Sequence, residues 1–86
     1  MKDPQKVILF PLATEKVVRL VESENTLAFA VAPDANRQDI KKAVEILYGV
    51  KVKEVRTVKT YDGKKAYVRL SPEYSADELA ARLGVI

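Results

Sequence analysis

The chain contains no cysteine and no histidine. These absences together exclude disulfide scaffolds, thiolate metal sites, cysteine nucleophiles and imidazole bases. Glycine is scarce. Gly49, Gly63 and Gly84 stand alone at turn and helix-end positions, so no glycine-rich loop exists to cradle a phosphate. No apolar run approaches the about 20 residues of a membrane helix, and no membrane insertion is expected. Behind the polar start Met1-Lys2-Asp3-Pro4, the run Val7-Ile8-Leu9-Phe10 is too short for a secretory signal. The chain therefore reads as soluble and cytoplasmic.

Catalytic groupings are missing as well. Ser71 and Ser75 have no imidazole to act as base, and their places at a strand end and a helix cap account for them. Glu22/Glu24 and Asp77/Glu78 fall on helix surfaces, without the spacing of an acid–base pair or of metal ligands. No enzyme, metal or cofactor is expected.

What is present suits one small folded domain. Eighty-six residues support a single core, and 48% hydrophobic with 31% charged residues is a globular composition. Fifteen basic against 12 acidic residues leave a net charge of +3, which permits a nucleic-acid partner without demanding one.

The central stretch is Lys64 to Leu79. Ala66, Val68 and Leu70 alternate with Lys65, Tyr67 and Arg69, sending an aliphatic set to one sheet face and a basic, aromatic set to the other. Ser71-Pro72 stops this strand, and Ser75 with Glu78 has capping-box spacing for a helix through Leu83, with Leu79, Ala80 and Leu83 inward.

Upstream, Val7 to Phe10 reads as a first strand ended by Pro11. Thr14 caps a helix over Glu15 to Ser23, with a stripe of Val17, Val18, Leu20 and Val21, closed by Asn25. Thr26 to Ala32 is apolar on both faces, which predicts a central strand. Its alanines leave room for a close neighbour. Asn36 caps a helix carrying Ile40, Ala43, Val44 and Leu47, with Gly49 just past Tyr48. In the extended stretch Val50 to Tyr61, Val50, Val52 and Val58 share a face, and a bulge or turn near Lys53-Glu54 would reconcile Val55 with them. Asp62-Gly63 predicts a type I′ hairpin turn to the Lys64–Leu70 strand.

The order is strand-helix-strand-helix-strand-strand-helix: an α+β fold with a small, mainly antiparallel four-stranded sheet. The last strand inserts between the second and third to give a split βαβ unit. Helices are expected to shield one side of it.

The basic residues cluster. Lys51, Lys53, Arg56, Lys59, Lys64, Lys65 and Arg69 lie on the hairpin among Tyr61 and Tyr67, while Arg37 and Lys41 open the second helix. Cations interleaved with aromatics suit RNA, with phosphates taking the charge and unstacked bases lying on rings or guanidinium planes. A solvated strand edge, with tyrosines packing the margin of the core, would read the same way. So would a small regulatory module that binds a metabolite or a protein through its sheet.

The run Lys64-Lys65-Ala66-Tyr67-Val68-Arg69-Leu70-Ser71, followed by Leu79, resembles the signature of the L-twenty-three family of large-subunit ribosomal proteins. Pro11 to Lys16, Asn25-Thr26-Leu27, Ala35-Asn36 through Val44, and Val50 through Thr57 also resemble that family's elements, in order along the chain. The resemblance implies a ribosomal RNA-binding protein beside the opening of the polypeptide exit tunnel, among neighbouring large-subunit proteins. It further implies a landing surface for signal recognition particle and other nascent-chain factors, with Glu15 in the docking role. Lys16, beside Glu15, joins the candidate RNA contacts. Bacterial members carry a long basic loop where this chain turns at Asp62-Gly63, and eukaryotic members a long basic N-terminal arm. The compact form resembles archaeal members.

Overall fold

A computed structural model describes residues 3–86, so Met1 and Lys2 lie outside the described residues. The elements are α1 (Pro4–Val7), β1 (Ile8–Pro11), α2 (Glu15–Glu24), β2 (Thr26–Val31), α3 (Arg37–Tyr48), β3 (Val52–Thr60), β4 (Gly63–Leu70) and α4 (Ala76–Leu83). The sheet order is β1-β2-β4-β3, and every neighbouring pair is antiparallel. Strands β2 and β3, both antiparallel to β4 between them, therefore run parallel. With α3 as the crossover this is the split βαβ unit expected from the sequence.

The start of the chain differs from expectation. Val7 ends a short helical turn rather than opening a strand. The Asp3 carboxylate accepts from the Gln5 N–H, and Pro4 takes the first helical position, where a missing N–H costs nothing. At the later helices, Asn36 and Asp39 form a full reciprocal capping box. At Ser75 the hydroxyl accepts from the Glu78 N–H at 3.1 Å.

Alternation sorts the sheet into two faces. On one lie Leu27, Phe29 and Val31 of β2, Ala66, Val68 and Leu70 of β4, and Val52 and Val55 of β3, all buried. Helix α3 covers this face with Ile40, Ala43 and Val44, and the Tyr48 ring stacks on Phe29 at 5.8 Å and 14°. Fully burying a side chain such as Phe29 contributes roughly 2–3 kcal/mol. Helix α1 packs against α3.

Both faces of β2 are apolar, and both are covered. Thr26 and Ala28 point to the second face yet are buried, because α2 lies over β2 there and presents Val17 and Val21. Helix α4 packs against α2 and β2. The expectation of helices on one side only is thus corrected to helices on both. Over β3 and β4 the second face is uncovered, and Arg56, Val58 and Arg69 are exposed there.

Two predictions about β3 resolve differently. The register shifts between Val52 and Glu54, so a bulge at Lys53 lets both Val52 and Val55 face the core. Glu45 of α3 serves this bulge, its carboxylate accepting from the Val52 N–H at 2.9 Å. Val58, however, pairs with Lys65 and lies on the open face, 46% exposed. The hairpin forms, but its central residues are Tyr61 and Asp62, closed by the pair Thr60↔Gly63. Positive φ occurs only at Asn25, Gly49 and Gly84 among the described residues, so the turn is not type I′.

Asn25 ties the elements together. It ends α2 in the left-handed conformation (φ 54°, ψ 39°). Its backbone carbonyl accepts from the Leu70 N–H at 3.0 Å. Its amide Nδ2 donates to the carbonyls of Tyr74 at 2.9 Å and Leu70 at 3.2 Å, while Oδ1 accepts from the Ala76 N–H at 2.7 Å. One side chain thus joins the end of α2, the end of β4 and the start of α4. Asn25→Ala should cost about 2–4 kcal/mol, from orphaned backbone groups and a strained φ. Asn25→Gly, which relieves only the strain, should recover about 1 kcal/mol of that in denaturant unfolding.

Burial raises the Tyr48 phenol above its ordinary value of 10.0. The native state then holds this proton more tightly than the unfolded chain, so stability falls as pH rises above 10. Tyr48→Phe should flatten that alkaline slope in thermal melts, and an unchanged slope would place its origin elsewhere.

Candidate nucleic-acid interface

The open face is built outward from β4. Lys65, Tyr67 and Arg69 alternate with buried Ala66, Val68 and Leu70, so the inward packing of the aliphatic set aims the other set outward. On the neighbouring edge strand, Glu54 stands opposite Arg69, Arg56 opposite Tyr67 and Val58 opposite Lys65. Helix α2, capped by the Thr14 hydroxyl accepting from the Val17 N–H at 3.2 Å, runs along the other margin.

Two cations converge on the Tyr67 ring. The Lys16 ammonium lies 5.3 Å from the ring centroid and the Arg56 guanidinium carbon 6.0 Å, within cation–π range. The same residues, with Leu20, Glu24, Val58 and Arg37, line an open groove of about 580 Å³ between α2 and β3. Four of the expected contacts, Lys16, Arg37, Arg56 and Tyr67, thereby line one groove, with Lys65 and Arg69 on either side of Tyr67 along the same face of β4.

The other candidates are placed differently. Lys41 and Lys53 line a second groove between α3 and β3, together with Arg37, Lys42 and Glu45. Lys51 is exposed just before β3, its carbonyl accepting from the Ser71 N–H. Tyr61 stands fully exposed at the hairpin tip. Lys59 and Lys64 pair across the strands, in line with the core-facing residues rather than with Tyr67. Lys64 is further committed, since its ammonium donates to the Ala35 carbonyl at 2.6 Å and secures the loop before α3. Glu15 is exposed in the first turn of α2.

Sequence reasoning missed Leu20, Glu24 and Val58 as groove residues. Only Leu20 carried a signal, as part of an α2 stripe wider than the two fully buried valines.

The fold and surface define a class: a small α+β scaffold with a packed interior and an uncovered basic, aromatic sheet face. Comparison with known proteins narrows it. The family model for ribosomal protein L23 matches residues 6–65. The large ribosomal subunit protein uL23 of Thermoplasma acidophilum is 51% identical over 79 residues, which span 92% of this chain and 94% of that relative. The chain belongs to the ribosomal protein L23 family. It is accordingly a structural component of the large ribosomal subunit and not an enzyme. Of the readings left open by the residues, the regulatory module gains no support. The relative is about as short as this chain, in keeping with the compact form. No described helix is long and apolar enough to cross a membrane.

Lys64→Ala should act on stability, costing about 1–2 kcal/mol as the Ala35 carbonyl loses its partner. Lys65→Ala should leave the melting temperature nearly unchanged. Equal melting temperatures for the two variants would contradict the structural assignment of Lys64.

Proposed function

We propose that the open face of β3 and β4, together with the adjoining side of α2, binds large-subunit rRNA near the polypeptide exit tunnel. The observation that carries this reading is the convergence of Lys16 and Arg56 on Tyr67, with Lys65 and Arg69 on the same uncovered strand face. Backbone phosphates would meet the cations, and that attraction depends on salt because bound counterions are released. Membership of a ribosomal family supports RNA as the polyanion.

The first turn of α2 adds the second part of the proposal. Consecutive helical residues point about 100° apart, so Lys16 can face RNA while Glu15 faces solvent. Glu15 then contributes to a landing surface for signal recognition particle or other nascent-chain factors, beside neighbouring large-subunit proteins. Anchoring by one residue and docking by the next would hold the factor site at a fixed distance from the RNA.

Replacing Arg56, Lys65 and Arg69 together by Gln should weaken binding to transcribed large-subunit rRNA. The slope of log K against log salt should become shallower by about 2. Circular dichroism should report an intact fold, because none of these side chains is buried. A slope equal to that of the unmodified chain would remove this face from the RNA contact.

A further inference from the structure

The groove beside Tyr67 has the wrong lining for a phosphate path alone. Leu20 and Val58 are apolar, Tyr67 offers an aromatic ring, and Glu24 contributes a carboxylate that repels phosphate. Lys16, Arg37 and Arg56 supply positive charge around this interior. Apolar and aromatic walls with one carboxylate and the Thr57 hydroxyl among them, edged by cations, match a nucleotide whose base goes in while its phosphates stay at the rim. A base has an apolar π-face and N–H donors on its edge, whereas a phosphate has neither.

We infer that this groove captures one unpaired nucleobase of the rRNA, stacked against the Tyr67 side chain with its flanking phosphates on Lys16 and Arg56. The inference rests on the RNA-binding reading above and names what that same face reads. In the unbound chain Lys16 and Arg56 lie over the ring, and the base takes that place as the two cations turn to its phosphates. Lys16 comes from α2 and Arg56 from β3, so the site exists only when the sheet and α2 are assembled. The Glu24 carboxylate favours a base that turns an exocyclic amino group towards it, namely adenine, guanine or cytosine, over uracil, which has none.

The full chain is titrated with transcribed large-subunit rRNA at several salt concentrations. Tyr67→Leu should lower affinity roughly 5- to 150-fold, the size of one lost base–aromatic stack. The loss should be the same at every salt, because stacking releases no counterions, whereas removing cations alters the slope. Tyr67→Phe keeps the ring and should bind like the unmodified chain, which guards against a folding defect. Glu24→Gln should leave the salt slope unchanged. A steeper slope in Glu24→Gln would mean that a further phosphate enters the groove, and would overturn the inference. Unmodified affinity in Tyr67→Leu would also overturn it, while leaving the wider RNA-binding reading in place. If the unmodified chain shows no salt-dependent rRNA binding at all, that wider reading falls. Retained rRNA affinity in Tyr67→Leu with loss of binding to an acidic peptide would assign the groove to a protein partner instead.

Discussion

The structure depends on the register of β4. This strand is hydrogen-bonded on both sides, to β2 and to β3, and its two faces have opposite chemistry. A slip of one residue would drive Lys65, Tyr67 and Arg69 into the core and leave Ala66, Val68 and Leu70 in water. Desolvating two unpaired cations costs several kcal/mol each, far more than any single ladder hydrogen bond contributes. The register is also fixed at the strand's end, where the Asn25 carbonyl and amide hold both the N–H and the C=O of Leu70. Packing and hydrogen bonding thus select the same alignment. The outward set is then as well determined as the inward one.

A fixed register makes a rigid platform of side chains that would otherwise be loosely held. Lys and Arg on a free surface lose conformational entropy when they bind a partner, which weakens most solvent-exposed contacts. Here Lys16 and Arg56 already rest over the Tyr67 ring, so part of their freedom is lost in the folded chain. The contribution of each cation–π contact is about 0.5–1 kcal/mol at an exposed site, small for stability. Its larger consequence is preorganisation. Helix α2 matters for the same reason, because it brings Lys16 from a distant part of the chain to the margin of β4.

Much of this was legible in the sequence because alternation and helical spacing are local. The order of the main elements, the bulge near Lys53, and the outward direction of Tyr67 and Arg69 all follow from patterns within a few residues, and the parallel relation of β2 and β3 from the helical crossover between them. The failures have physical causes. The apolar run Val7 to Phe10 reads as a strand, and the helix start at Asp3-Pro4 had no part in that reading, so the turn ending at Val7 was missed. The Asp62-Gly63 dipeptide suggested a left-handed turn, but pairing of Thr60 with Gly63 moved the turn back by one residue. Val58 was placed inward because its spacing from Val52 is even, and the bulge between them reverses that parity. The doubly apolar β2 was recognised, yet its requirement for cover on both sides was not carried through to α2.

Parity also separates the two neighbouring lysines, in a way that composition cannot express. Lys64 and Lys65 are chemically identical, and both belong to the basic cluster. Their Cβ atoms leave opposite faces of one strand. Lys65 joins Tyr67 on the open side, whereas Lys64 projects toward the layer of α3 and finds the Ala35 carbonyl. An ammonium held at 2.6 Å by a backbone oxygen has one of its donors committed and its position fixed, so it is not free to meet a phosphate on the open face. Counting basic residues therefore overstates the proposed interface. What counts is which of them the sheet's two-residue period delivers to the side that α2 leaves open, and around Tyr67 that number is small enough for each cation to have a distinct place.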